Sequence, residues 1–239
     1  MYKEHPSFIQ PDKEHIKIWR YMDFTKFISL IETNNLYFTR ADKFNDPFEG
    51  SWPKNSVINR NKLIAGTSEE DRRMHAKEYS RSMKSLRLHY AINCWHENES
   101  ESAAMWKLYL KSDEGIAIQS TYDRLKMSFN DNDEIIFLGK VTYIDYNKES
   151  IGFFKTHAQF MHKRRSYEHE NEIRAVVFNE NEKINNGLQI AVNTETLIEK
   201  VYVAPNTPLW FLDLVRKAIE TYKHKFEVIR SKMDSSAIF

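Results

Sequence analysis

An alternating run of carboxylates at positions 167–174 is the segment of this sequence whose chemistry is easiest to state. It reads Tyr-Glu-His-Glu-Asn-Glu-Ile-Arg and continues into the apolar pattern of a β-strand at 173–178. Side chains two residues apart on an extended chain project from the same face. Four charged side chains are therefore predicted to lie on one face of this strand: Glu168, Glu170, Glu172 and Arg174.

These carboxylates admit two interpretations. Negative charges this close repel each other, so the run indicates a site that needs a carboxylate. The alternative is a solvent-exposed edge strand that carries a ladder of Glu and Arg side chains. Whether Glu172 faces a site in preference to Glu170 or Glu168 depends on the register of the strand, because a shift of one residue exchanges its faces.

A second candidate group is a cation on a strand predicted at 16–21. Arg20 stands there between two large aromatic residues, Trp19 and Tyr21. A guanidinium group can bind a phosphate or a carboxylate through two parallel hydrogen bonds. Because alternate residues of a strand face opposite sides, Arg20 is predicted to point either into solvent or into a cleft.

A turn is predicted at Asn45-Asp46-Pro47, two residues before Glu49. Asn and Asp side chains can accept hydrogen bonds from their own backbone, and proline fixes the φ angle. The polar side chains Asn45, Asp46 and Glu49 either only stabilise the turn or face a ligand from a rigid loop.

Two further segments have both a structural and a functional interpretation. Met105, Leu108 and Tyr109 have the spacing of a packed helix face. The segment 155–165 is rich in Lys, Arg and His. It predicts either the solvated end of a helix or a contact with phosphate or RNA.

The composition excludes several classes of protein. Lys and Arg number 35 against 34 Asp and Glu, so the overall basic charge typical of nucleic-acid-binding proteins is absent. The six glycines form no G-x-G-x-x-G or G-x-x-x-x-G-K motif, and the nine histidines form no motif for a metal. The single Cys94 precludes an intramolecular disulfide. A cytoplasmic location with no membrane contact is expected, since no apolar stretch is long enough to span a bilayer.

The periodicity of apolar residues predicts strands and helices that mix without regular alternation. Strands are predicted at 16–21, 36–39, 89–95, 115–119, 135–146, 172–179, 187–192, 199–204 and 227–230. Helices are predicted at 23–34, 68–88, 101–110, 121–127, 147–165 and 208–223. The fold class is therefore predicted as α+β, with one domain over 1–239 and a mixed, mostly antiparallel sheet flanked by helices.

The order of these motifs resembles a large, mostly prokaryotic family known as domain of unknown function 2971. The matching segments are Trp19-Arg20-Tyr21, Phe44–Glu49, Cys94-Trp95-His96, Met105–Tyr109, Gly115–Ile118, Tyr167–Arg174 and Val201–Pro205. Three positions differ from the family pattern. Arg20 replaces a His or Lys, His96 replaces a Ser, and Tyr167 replaces a Trp.

The layout of that family is in turn similar to the ADP-ribosyltransferase fold. In the branch of that superfamily with a Glu-x-Glu motif, the second Glu binds a ribose hydroxyl of NAD and stabilises positive charge at the anomeric carbon. The resemblance implies this catalytic role for Glu172, while Glu170 would position or deprotonate the acceptor. The residues implied to bind NAD are Arg20, Tyr21, Tyr109, Tyr167 and Arg174.

The implied activity is ADP-ribosyl transfer from NAD or hydrolysis of NAD, in phage defence or as a toxin. The expected partners are NAD or another nucleotide, and a protein or nucleic acid as acceptor. Two other functions stay open from the sequence. One is a non-catalytic module that binds a ligand or a partner. The other is a nucleic-acid-binding or nucleic-acid-processing protein. Its support is the basic segment 155–165, the predicted helix with mixed charges at 69–88, and the many aromatic residues.

Overall fold

A large sheet with helices against it forms the framework of the protein. The computed structural model describes residues 1–63, 68–110, 114–130, 132–152 and 157–234. The helices are α1 (Phe24–Thr33), α2 (Lys54–Leu63), α3 (Glu69–Leu86), α4 (Ala103–Tyr109), α5 (Tyr122–Met127), α6 (Thr194–Leu197) and α7 (Leu209–Thr221). The strands are β1 (Tyr2–Lys3), β2 (Lys17–Asp23), β3 (Asn35–Arg40), β4 (Tyr90–Glu97), β5 (Gly115–Thr121), β6 (Ile136–Lys140), β7 (Thr142–Ile144), β8 (His162–Arg164), β9 (Glu172–Phe178), β10 (Gly187–Ala191), β11 (Lys200–Val203) and β12 (Glu227–Arg230).

Most strand pairs of the main sheet are antiparallel. The order is β1-β6-β9-β4-β2-β5-β11-β12, and β3 pairs with both β4 and β10. Only β1–β6 and β11–β12 are parallel among the described pairs of this sheet, while β7 and β8 form a small parallel sheet of their own. The predicted α+β class, with a mixed and mostly antiparallel sheet flanked by helices, is confirmed.

The main apolar core covers one face of the sheet. Helix α1 buries Phe27, Leu30 and Ile31 there, and α7 buries Phe211 and Val215. These residues are spaced three or four apart, so each helix turns one apolar stripe to the sheet. Helix α3 buries none of its described residues, which fits its charged sequence. The opposite face of the sheet carries smaller apolar clusters and the cleft described below.

Strands β3 and β2 pair with different parts of the same edge of β4, and a gap in the sheet lies between them. Strand β3 pairs with β4 only at Ala91 and Ile92, and β2 pairs with it only at His96 and Glu97. Between these points β4 has β9 on one side alone. The Asn93 amide donates to the carbonyl of Tyr37 (2.9 Å) and so joins β4 to β3 by a side chain. A split in the sheet therefore lies beside residues 93–95.

Two predicted elements are wrong. The long strand predicted at 135–146 breaks at Val141, whose N–H donates to the Glu172 carbonyl (2.9 Å), while Thr142 donates to Met161 (2.8 Å). The chain thus leaves β9 and pairs with β8. In place of the helix predicted at 147–165, the described residues 157–164 form a 3-10 turn at Ala158–Phe160 followed by β8.

Candidate functional site

A cleft of about 430 Å³ lies at the split of the sheet. Its size falls within the range of small-molecule sites. The cleft gathers charged, polar and aromatic side chains from several strands, a helix and two turns. Those used below are Arg20 and Tyr21 of β2, Cys94 and His96 of β4, Tyr109 of α4, Lys163 of β8, Glu172 of β9, the turn residues Asn45, Asp46 and Glu49, and Tyr167 and Glu170 before β9.

The floor of the cleft is a buried cluster of ions centred on Arg174. Its two terminal nitrogens donate to both carboxylate oxygens of Glu49, at 2.6 and 2.8 Å. Nη1 also donates to the Phe160 carbonyl at 2.6 Å, and Nη2 donates to Glu172 at 3.1 Å. Arg174 and the Glu49 side chain are fully buried, and Glu172 is 5% exposed. Arg174 does not line the cleft; it holds Glu49 and Glu172 in place from beneath.

Glu172 is ionised in this setting. Burial alone raises the pKa of its carboxyl group, but the positive charges of Arg174 and Lys163 outweigh burial and lower the pKa below its usual value. The pKa of Arg174 is well above its ordinary value, since Glu172 and Glu49 together overcome the opposing effect of burial. The result is a fixed negative charge in a poorly hydrated wall of the cleft.

Lys163 is the second cation of the cluster. Its Nζ forms an ion pair with Glu170 and lies 3.4 Å from Glu172. The cluster therefore contains three carboxyl groups and two cations, with both oxygens of Glu49 accepting hydrogen bonds from Arg174. Burial raises the pKa of Glu49, against the opposing charge of Arg174. Lys163 was not predicted as a residue of the site, because a lysine among several neighbouring basic residues is expected to be exposed to solvent.

The carboxylates reach the cleft in a different way from the one predicted. Residues Arg165–Glu170 form a 3-10 turn, and Asn171 adopts a left-handed conformation with φ 36°. The strand begins only at Glu172. Glu168 is exposed and lies outside the cleft, so the prediction that Glu168 shares a strand face with Glu172 is wrong. The prediction that Glu172 and Arg174 share a face is correct.

Arg20 lines the cleft at the split between β2 and β4. Its Nη1 donates to the carbonyl of Cys94 (2.8 Å), and its guanidinium lies 6.0 Å from the centre of the Trp95 ring. Burial lowers the pKa of Arg20. Within the described parts of the chain, no carboxylate lies within ion-pairing distance of this guanidinium. Arg20 thus has donors left for an anion.

Three tyrosines surround the cleft in different ways. Tyr21 is buried, packs edge-on against Trp106 at 4.9 Å, and accepts a hydrogen bond from the Ser102 N–H. Tyr109 is 46% exposed at the rim. The Lys163 ammonium lies over the Tyr167 ring, 4.8 Å from the centre of that ring. Tyr109 and Tyr167 therefore offer rings to a planar ligand, while the hydroxyl of Tyr21 is occupied by backbone.

The turn at 45–49 shapes one wall. Asp46 is buried and accepts hydrogen bonds from the Phe48 N–H (3.0 Å) and from Arg164 Nη2 (2.8 Å). Asn45 is exposed at the cleft. Of the three candidate residues of this turn, Asp46 and Glu49 have their carboxylates bound by arginines, and Asn45 faces the opening.

The described cations of the basic segment are bound within the protein. Arg164 pairs with Asp46, Arg165 with Glu149 (2.8 Å), and Lys163 with Glu170. Lys155 lies outside the described residues. These pairs leave little positive charge for a phosphate backbone on this segment.

Comparisons with known proteins gave one group of similar structures. No protein-family model and no curated protein sequence matches the chain. Thermus sp. 2.9 DarT in complex with NAD+ has a TM-score of 0.42 and 8% identity, covering 95% of this chain and 100% of that one. DarT with ADP-ribosylated ssDNA gives 0.41 and 9%, covering 95% and 97%. DarT with carba-NAD+ gives 0.41 and 8%, covering 93% and 98%. Likeness at this level assigns no function to this chain.

Two searches of the described residues came out negative. No group of three or more His, Cys, Asp or Glu side chains there is arranged to hold a metal ion. No helix in the described segments is long and apolar enough to cross a membrane.

Proposed function

We propose that the cleft binds NAD and cleaves its nicotinamide–ribose bond, passing the ADP-ribosyl group to an acceptor or to water. One observation carries the proposal. A buried, ionised carboxylate, Glu172, lines the same cleft as Arg20, a guanidinium with no carboxylate partner among the described residues. A site for NAD needs both charges, because NAD carries an anionic pyrophosphate, which a cation binds, and a cationic pyridinium glycoside, which an anion stabilises.

Arg20 is the binding group for the pyrophosphate. Its guanidinium is held by the Cys94 carbonyl at Nη1, which leaves other N–H groups of the fork to reach phosphate oxygens. Arginine suits this task because its planar donors match pairs of phosphate oxygens. The rings of Tyr109 and Tyr167, which line the cleft, would stack on nicotinamide or adenine.

Glu172 stabilises the transition state. When the bond to nicotinamide breaks, its electron pair goes to the pyridine nitrogen, and positive charge develops at the ribose, as in glycoside cleavage. A preorganised anion in a site with little water stabilises that charge. Lys163 and Arg174 fix the Glu172 carboxylate and, by lowering its pKa, keep it ionised.

The acceptor and the biological role stay predictions. Water as acceptor would make the protein an NAD glycohydrolase, and a macromolecule would make it an ADP-ribosyltransferase. A role in phage defence or as a toxin would follow from the identity of the acceptor, which radiolabelled NAD with cell protein, RNA and DNA can reveal.

The test is release of nicotinamide from NAD, followed by chromatography. The wild-type protein is compared with Glu172→Gln and with the control Glu168→Gln, which alters an exposed residue of the same segment. We expect turnover by the wild type and the control, and a decrease of roughly 10²–10³-fold in Glu172→Gln. Absence of turnover in the wild type, with and without cell extract, would reject the proposal in favour of a ligand-binding module.

A further inference from the structure

One group in the cleft has a role that the carboxylates cannot fill. His96 lies on β4 directly across from Glu172 on β9, and the two residues are cross-strand partners. Side chains at such positions lie on the same face of the sheet and close together. The His96 ring lines the cleft.

The backbone fixes the tautomer of His96. Its Nδ1 lies 2.6 Å from the carbonyl oxygen of Glu170. A carbonyl oxygen only accepts hydrogen bonds, so Nδ1 carries the proton and donates it to this oxygen. In the neutral ring Nε2 then holds a lone pair. Nε2 is shielded from solvent and has no hydrogen-bond partner in the described parts of the chain, an arrangement that is costly unless a ligand satisfies it.

Both carboxylates of the segment 170–172 are already held by cations of the protein. Glu172 accepts hydrogen bonds from Arg174 and Lys163, and the Glu170 carboxylate is paired with Lys163. Two cations beside a carboxylate weaken it as a base. Among the described residues, no hydrogen-bond donor reaches the lone pair of His96 Nε2.

We infer that His96 is the general base of the reaction, taking a proton from a hydroxyl nucleophile at Nε2. This inference rests on the proposed function and names its acceptor class, which is water or an alcohol. The C1′–N bond breaks with its electrons passing to nicotinamide, the oxygen of the nucleophile forms the new bond to C1′, and its proton moves to Nε2. The imidazolium then releases the proton to solvent.

Substrate binding must open access to this nitrogen. Because Nε2 has almost no exposed surface, a side chain of the cleft wall moves when the hydroxyl binds. Catalytic hydrogen bonds commonly tighten only in the complex with substrate. The charged and titratable residues that line the cleft with His96 are Arg20, Tyr21, Lys26, Asp46, Glu49, Cys94, Tyr109, Lys163, Tyr167, Glu170 and Glu172.

The experiment uses His96→Asn as the main variant and His96→Gln as the second. The Asn amide keeps a donor near Nδ1 for the Glu170 carbonyl, and the Gln amide keeps an acceptor near Nε2, but neither is a base. We expect kcat for nicotinamide release to fall by roughly 10²-fold or more in both variants. The Kd for NAD, measured by calorimetry, should stay within about twofold of the wild type, as expected for a group that acts in the chemical step.

The outcomes separate this inference from the proposed function. If the wild type releases nicotinamide and both His96→Asn and His96→Gln keep its kcat, His96 is not the base and the proposed function stands. If the wild type binds or cleaves no NAD, both fail. If only His96→Gln loses kcat, in step with a lower melting temperature, while His96→Asn is fully active, the histidine is structural.

Discussion

Replacement of Arg174 by Met is the most demanding test of the buried cluster beneath the cleft. The side chain is fully buried and donates four hydrogen bonds, two to Glu49, one to the Phe160 carbonyl and one to Glu172. The substitution keeps much of the side-chain volume but leaves Glu49 with no cation at its oxygens. Breaking a buried ion pair from one side costs about 3–5 kcal/mol.

The free energy of unfolding in urea and the melting temperature measure this loss. A loss of 3–5 kcal/mol in a chain of this length corresponds to a decrease in melting temperature of roughly 6–20 °C. The control is the double variant Arg174→Met with Glu49→Gln, which removes both charges. Because no uncompensated carboxylate then remains at this position, we expect the two substitutions to be non-additive by about 1–3 kcal/mol.

The reasoning on Arg174 fails if the single variant loses less than about 1 kcal/mol, the upper value for an exposed ion pair. It also fails if the two substitutions are additive within about 0.5 kcal/mol, the level expected of independent sites. Either result would mean that the charges of Arg174 and Glu49 are compensated elsewhere.

Two further predictions concern positions outside the cluster. Gly50 has φ 66°, and a Cβ there would lie 2.6 Å from the buried Phe160 ring. Gly50→Ala should therefore lower the free energy of unfolding by about 2–4 kcal/mol. An unchanged free energy of unfolding in urea would contradict the turn described at this position. Burial lowers the pKa of His157 from 6.5 to about 4. Between these two pH values the folded state therefore binds fewer protons than the unfolded state. The free energy of unfolding should consequently fall as the pH drops from 6.5 to 4. His157→Asn, which tolerates the left-handed backbone there (φ 69°), should lose that part of the pH dependence of the urea midpoint, whereas an unchanged slope would assign the effect to other groups.

The sequence predicted three of the strands that form the cleft, β2, β4 and β9, because their patterns depend on local rules. The alternation after Glu172 placed it with Arg174 on one face, and the Asn45–Asp46 turn formed as its side-chain chemistry required. The sequence left Arg20 facing either solvent or a cleft, and the structure has it lining the cleft. These features need only knowledge of neighbouring residues.

The failures came from contacts between segments distant in the sequence. Lys163 is buried because Glu170 and Glu172 compensate its charge, and no local pattern reveals that partnership. The apolar spacing within 147–165 suggested a helix, but pairing of β8 with β7 prevails there. Likewise His96 looked like a departure from the resembled family, and only the carbonyl of Glu170 at its Nδ1 shows which nitrogen is free to react.

Titration of Glu172→Gln with NAD tests the central claim most directly, since it separates binding from cleavage in one sample. Calorimetry gives the Kd, and chromatography of the same solution gives the nicotinamide released. Because Arg20 and the tyrosines bind NAD in this account, the variant should bind it with a Kd near that of the wild type and leave it intact. Cleavage at the wild-type rate would contradict the role of Glu172, and failure of both proteins to bind NAD would contradict the assignment of the cleft.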